Sequence, residues 1–394
     1  MEMKDTEGLR TKALIVAMAD SIHVARWLEL FRESKYDFTI ISSSPNRRIH
    51  PRLNALADLG HLSVAKYEIH PFSRLLSVPA WLLDRILQDR IRGWLIRKTI
   101  RKLRPDFVHA MELQNAGYAT AVAFEKLSPE SRPPLLLTNY GSDIYWFERF
   151  PSHRQRLSSL LGLAVAYSAE CARDKALAEN LGLKAKTVRV FPNSGGLQPT
   201  LLADSSVPNS ERKLIAIKGY ENQFGRALLA LDALEEVADL ARPYEIVLFS
   251  CNRKTKVAAR RLAKRADLNI VCHGKNNLAH GEVLDIFRNS VLYLGLSRSD
   301  GISTSMLEAM SQGAVPLQSG TACANEWIKT GETGFVLDLG DQKSIVEALK
   351  FTLKNEKFRE QAIARNLETI RAKYLSSTVS VACLEFYEAA LSSR

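Results

Sequence analysis

The sequence predicts an α/β protein made of two doubly wound parallel sheets. Three observations carry this. Strand-length apolar runs alternate with amphipathic helical stretches from Lys12 to Phe191, and the same alternation restarts at Lys213. Between the two arrays lies Pro192–Arg212 (PNSGGLQPTLLADSSVPNSER), rich in Pro, Ser, Gly and Asn, which reads as a domain boundary. The chain has 394 residues, more than one ordinary core accommodates.

In the first array the expected strands are Lys12–Met18, Phe38–Ser42, Leu62–Ile69, Pro105–Ala110, Leu135–Thr138, Leu163–Ser168 and Lys186–Phe191. Helices are expected at about His23–Ser34, at Leu113–Leu127 and at Ala169–Leu181, the last closed by Gly182. The opening strand–loop–helix lacks G-x-G-x-x-G, which disfavours a tightly held dinucleotide at that loop. Pro71–Leu103 combines Trp81, Leu82, Ile86, Leu87, Ile91, Trp94, Leu95 and Ile96 with arginines and lysines. It reads as a long crossover helix, apolar towards the sheet and basic towards solvent. A second reading is an interfacial helix resting on an anionic bilayer. In the second array strands are expected at Lys213–Ile217, Glu245–Ser250, Asn269–His273, Val291–Leu296, Ala314–Leu317 and Gly334–Leu337. Three helices follow: Asp341–Leu353, Glu356–Tyr374 and Thr378–Leu391.

Composition narrows the function classes. Hydrophobic residues make up 46%, ordinary for a globular chain. No window approaches the roughly 18 uncharged apolar residues of a membrane span, and no secretory leader is expected. The five cysteines are scattered without C-x-x-C, which suits reduced thiols of a cytoplasmic protein and no zinc site. A net charge of +11 favours anionic partners without selecting one. Aromatic residues are not interleaved with the basic ones as in a base-stacking platform, so nucleic acid is not an expected partner.

The most informative stretch is Ser297–Gly313, SRSDGISTSMLEAMSQG, directly after an apolar strand. A polar, glycine-containing loop between a strand and a helix is where open α/β sheets bind ligands. Backbone N–H groups at Gly301, Ile302, Ser303, Thr304 and Ser305 would favour an anion such as a phosphate. Asp300 and Glu308 bracket the loop. Each also has a plain reading: Asp300 as a turn residue, Glu308 as the glutamate of a capping box opened by Ser305.

With its neighbours, this stretch resembles the donor-site signature of retaining GT-B glycosyltransferases of family 4. Asp300-x7-Glu308 keeps the family's E-x7-E spacing with aspartate in the first place. Glu308-Ala309-Met310 and Gly313 fit directly, as do Glu326 and Gly331-x-x-Gly334. The resemblance spans nearly the whole chain. It implies a GT-B fold: two Rossmann-like domains facing each other across a cleft, with the last helix packing back on the first domain. The implied domains are 1–195 together with 376–394, and 196–375. It also implies that Glu308 bonds the ribose of a nucleotide sugar, that Asp300 meets the transferred sugar, and that the Gly301–Ser305 amides meet the diphosphate. The family's basic pair near the diphosphate is displaced: Tyr220 and Phe224 stand in its places. Arg226 or Lys218 would substitute, with Arg253, Lys275 and Arg298 at other strand ends in reserve. By the same resemblance His109 would face the sugar, its plain reading being a core histidine. Asp143, in Gly141-Ser142-Asp143, would contact acceptor or sugar, or cap a helix. Asp20, His23 and Arg26, in D-x-x-H-x-x-R-W, would lie on the acceptor side.

The expected activity is therefore transfer of a sugar from a nucleotide diphosphate sugar to a hydroxyl of a carbohydrate, lipid-linked or other acceptor. Retention, cell-surface polysaccharide or glycolipid assembly, and a cytoplasmic location at the inner face of a membrane go with it. No metal and no cofactor besides the co-substrate is expected. The alternatives are a nucleotide-sugar epimerase on the same fold and a binding or regulatory protein with a decayed site.

Overall fold

A computed structural model describes residues 10–44, 49–64, 77–203, 207–275 and 277–392. The chain divides into two compact units, Met1–Gly196 with Val379–Arg394, and Leu197–Thr378. The first contains β1 (Thr11–Ala17), β2 (Tyr36–Ser42), β3 (Leu62–Val64), β4 (Phe107–Met111), β5 (Leu135–Thr138), β6 (Ala166–Ala169) and β7 (Thr187–Val190). They form one sheet in the order β3-β2-β1-β4-β5-β6-β7, every pairing parallel. The second unit contains β8 (Leu214–Lys218), β9 (Glu245–Cys251), β10 (Ile270–Gly274), β11 (Ser290–Gly295), β12 (Val315–Ser319) and β13 (Phe335–Leu337). Their order is β10-β9-β8-β11-β12-β13, again all parallel. Each sheet reverses its winding beside its first strand, and each unit is thus doubly wound as expected. Helices cover both faces, which is why β1 and β11 read as unbroken apolar runs rather than as alternating ones.

Several helices depart from expectation. Pro51–Asp58 and Pro151–Leu161 are helices that the sequence pattern did not disclose. The helix expected from Leu113 begins with a wide π-helical turn, Leu113–Gly117, after Glu112 at φ 88°. The long basic helix is two helices, Ser77–Ile86 and Arg90–Leu103, with Gln88 and Asp89 in the left-handed region between them. The cause of the break is Asp84. Its carboxylate accepts from the backbone N–H of Ile91 at 2.7 Å and of Arg92 at 3.3 Å, capping the second helix from the last turn of the first. Buried Asp89 then pairs with both Arg92 and Arg156. Residues 71–76 and 65–69, the remainder of the expected basic segment and third strand, lie outside the described residues.

The last helix, Ser376–Ser392, carries the chain from the second unit into the core of the first. Val379, Cys383, Phe386, Tyr387 and Ala390 share a hydrophobic cluster with β1 and β2. The Tyr387 ring stacks on Phe31 at 4.7 Å and its phenol accepts from Trp27 Nε1 at 3.0 Å.

Candidate functional site

The loop after β11 is pinned from below. Ser319, at the end of β12, accepts from the Ser297 N–H and donates to the Ser297 carbonyl, both at 3.0 Å. The helix that follows is Thr304–Ser311, and its N-cap is Ser303, whose hydroxyl accepts from Met306 N–H at 3.4 Å. The capping box expected from Ser305 to Glu308 is therefore not formed, because Ser305 is already inside the first turn. Glu308 points elsewhere. Only 6% exposed, it lies with Oε1 2.9 Å from Nε2 of His280, the first residue of the helix His280–Arg288. Helix geometry leaves the N–H groups of Thr304 and Ser305 without partners inside the helix, and the helix dipole gives that end a partial positive charge. The Gly301 N–H is committed, donating at 3.0 Å to Oδ1 of its neighbour Asp300.

Lys218 closes the arrangement from the end of β8. Its ammonium lies 3.7 Å from Asp300 Oδ2, 3.5 Å from Ser303 Oγ and 5.0 Å from the centre of the Tyr220 ring. Burial works against its charge, but the facing Tyr220, Tyr293 and Asp300 outweigh it and hold the ammonium above the usual lysine range. Below them the Tyr293 phenol reaches Ser303 Oγ and Gln318 Oε1, each at 3.4 Å.

The loop leaving β8 runs alongside the loop leaving β11, with Arg298 N–H donating to Phe224 at 2.7 Å and Arg226 N–H to Leu296 at 3.0 Å. Gly225 is required there: a Cβ would fall 2.1 Å from the Tyr220 carbonyl. Arg226 turns its guanidinium into its own loop, on the carbonyls of Asn222 at 2.7 Å and Gln223 at 3.4 Å. Of the two basic residues expected as substitutes, Lys218 is the one at Asp300 and Ser303. Arg298 and Lys275 are exposed strand-end cations.

In the first unit several candidates turn out to be structural. His109 is a core histidine with no exposure. Its Nδ1 lies 2.9 Å from the Tyr387 phenol and its Nε2 2.7 Å from Thr138 Oγ1, which continues to Ser168 Oγ at 2.7 Å. Trp27 can only donate to the phenol, which directs the phenol proton to Nδ1 and leaves Nε2 as the protonated nitrogen. Burial pushes the pKa of the ring down to about 3. Such a ring has no nitrogen left for a sugar, which corrects the role expected of it. Asp143 caps not a helix of its own loop but the π-helical turn that Leu113 opens. Its Oδ2 accepts from Leu113 N–H at 2.9 Å and Tyr140 N–H at 3.1 Å, tying the loop after β5 to the turn after β4. Burial, reinforced by the charge of Glu112, raises its pKa well above the ordinary carboxylate range. In the first loop Ser21 caps the helix Ile22–Glu29, Asp20 is exposed, and the His23 ring stacks on Tyr140 at 6.3 Å. Arg26 is buried with its Cβ against Gly195, where an added Cβ would come within 2.6 Å.

Two features of this chemistry were invisible in the sequence. His280 stands 28 positions before Glu308 in an unremarkable helix start. Glu112, buried and accepting from Ser43 Oγ at 3.0 Å and Ala116 N–H at 2.9 Å, falls between an expected strand and an expected helix.

Comparison with known proteins agrees with this architecture. Residues 211–368 match the family model described as glycosyl transferases group 1, and residues 12–173 match that of glycosyl transferase 4-like proteins. No match was found among curated proteins. Several solved structures share the fold at low identity. Sucrose-phosphate synthase of Thermosynechococcus elongatus superposes with a TM-score of 0.73 at 12% identity, over 98% of this chain and 100% of that one. Anabaena HepE in complex with UDP and glucose gives 0.71 at 14%, over 96% and 100%. A glycosyltransferase of Rickettsia africae gives 0.71 at 14%, over 97% and 99%. The two family matches, covering both halves, and the shared fold place the chain among the glycosyltransferases of GT-B fold.

Proposed function

We propose that this protein is a retaining glycosyltransferase of the family 4 type. It moves a sugar from a nucleotide diphosphate sugar to an acceptor hydroxyl in cell-surface polysaccharide or glycolipid assembly. The observation that carries the reading is the amino end of the helix Thr304–Ser311, with the Lys218–Asp300 pair on one side and Glu308 one turn in. Glu308 bonds the ribose hydroxyls. The amides of Ser303 to Ser305 receive the diphosphate, Gly301 being engaged by Asp300. Lys218 adds the positive charge that the leaving diphosphate requires, so that with the helix dipole no metal ion and no further cofactor is needed. Asp300, fixed by Lys218, meets the transferred sugar. In the front-face course the bond from the anomeric carbon to phosphate oxygen breaks as the bond to the acceptor oxygen forms on the same face. The acceptor's proton passes to the leaving phosphate. On the acceptor side Asp20 and His23 remain candidates, with Arg26 shaping the loop behind them.

Transfer is tested by incubating the protein with nucleotide sugars and candidate acceptors and following the anomeric proton by NMR. Retention of configuration is expected; inversion would exclude the front-face course. Isomerised sugar formed without acceptor would mark an epimerase, and tight nucleotide binding without turnover a decayed site.

We further propose that the protein works as a peripheral protein on the cytoplasmic face of a membrane, where lipid-linked acceptors are presented. Among the described residues no helix is long and apolar enough to cross a membrane. Leu82, Leu83, Ile86 and Leu87 are exposed, Ile86 at 77%, and exposed Trp94, Lys98, Arg101 and Lys102 follow on the next helix. Apolar anchors beside basic residues suit an anionic interface.

A further inference from the structure

We propose that His280 is a positioning residue of the donor site, holding Glu308 in the orientation that reads the ribose hydroxyls of the nucleotide. The inference rests on the donor reading of Glu308 and adds to it a residue from a different element. His280 opens the helix before β11, Glu308 lies on the helix after it, and the two helices share a core through Leu284, Phe287, Met306 and Met310. That packing brings His280 Nε2 to 2.9 Å from Glu308 Oε1. The carboxylate side chain is 7% exposed and the imidazole 30%, so the ring is the more solvent-open member of the pair. The last torsion of a glutamate side chain is broad and roughly two-fold, so a hydrogen bond from a fixed donor narrows its carboxylate plane. An Nε2–H directed at one oxygen fixes that plane. A ribose diol presents two O–H donors on adjacent carbons, and a carboxylate meets both only in one plane. A group that orients a binding carboxylate in this way acts as outer partners do around other ligating side chains.

The inference separates cleanly from a merely structural pairing. A His280 that only supports the fold affects every ligand alike; one that orients Glu308 matters only when the ribose hydroxyls are there. The experiment measures affinities of the full-length protein for UDP, GDP and ADP, each against its 2′,3′-dideoxy form. The wild type is expected to favour the ribose form of the nucleotide it binds, and Glu308→Ala to abolish that preference. His280→Ala is expected to weaken the preference about tenfold, the scale of one charge-assisted hydrogen bond, with dideoxy affinity unchanged. His280→Gln, whose amide nitrogen reaches the place of Nε2, restores it. If His280→Ala fails to fold, His280→Phe keeps a ring of similar size without the donor and carries the same expectation. An unchanged preference in the His280 variants, or equal losses for both ligand forms, overturns the inference while leaving Glu308 in the donor site. A preference that survives Glu308→Ala, or the absence of binding by all three nucleotides, overturns the donor reading and the inference with it.

Discussion

Lys218 carries more of the proposed chemistry than its place in the sequence suggests. It was one of several basic residues at strand ends, and distances separate them: its ammonium sits at Asp300 and Ser303 while Arg226 is engaged by its own loop. Lys218→Met is expected to lower kcat/KM by about 10²- to 10³-fold, the usual cost of removing one preorganised charge-stabilising donor, in a steady-state assay, with the fold intact by circular dichroism. His109 tests the opposite assignment. Its folded pKa, about 3, lies below the ordinary 6.5, so its contribution to stability is intact above pH 6.5 and lost as pH falls towards 3. Between pH 6 and 4 the unfolding free energy of wild type is expected to fall relative to that of His109→Gln by about 1.4 kcal/mol per pH unit. Parallel curves would contradict a buried neutral ring. The sequence offered both readings of His109, and the Tyr387 phenol, 278 positions away, decides between them together with Thr138.

Strands were the legible elements, because their apolar runs are set by two-sided burial that any sheet position of this kind imposes. Helix ends were less so. Ser305-x-x-Glu308 has the capping-box pattern, yet Ser303 caps the helix and Glu308 bonds a residue from the preceding helix, a contact no local pattern encodes. The break in the basic helix has the same origin: no local pattern marks Asp84 and Asp89, and their partners make one a cap and the other a buried ion pair. Asp89 is fully buried between two arginines, so Asp89→Ala leaves Arg156 without its carboxylate and Arg92 with Asp84 alone. It should destabilise the first unit by about 3–5 kcal/mol, read as a fall in the urea midpoint, whereas a loss below about 1 kcal/mol would mean that the pairing is a solvated surface one.

At the scale of the molecule, the alternation of strands and helices in two arrays made the fold class readable, and the motif after β11 made the proposed donor site readable. The dependence of the first unit on the last helix was readable only through the family resemblance, since nothing in residues 376–392 announces what they pack on. Tyr387→Ala, which empties a position ringed by Trp27, Phe31, Tyr36 and Phe107, should cost the first unit about 3–5 kcal/mol. Nucleotide binding by the second unit, followed by calorimetry, should persist at temperatures where the first has unfolded. Flotation with anionic liposomes should carry the protein upward at low salt, and Leu83→Asp with Ile86→Asp should leave it at the bottom; equal flotation of both would remove these residues from the interface. The central claim is that Ser297–Gly313 holds a nucleotide sugar with Glu308 on the ribose. Its most direct test is calorimetric titration of wild type and Glu308→Ala with UDP-, GDP- and ADP-sugars. Saturable one-to-one binding of one of them to the wild type, weakened at least about tenfold in the variant, is the predicted result. Equal affinity in both proteins, at equal thermal stability, would contradict it.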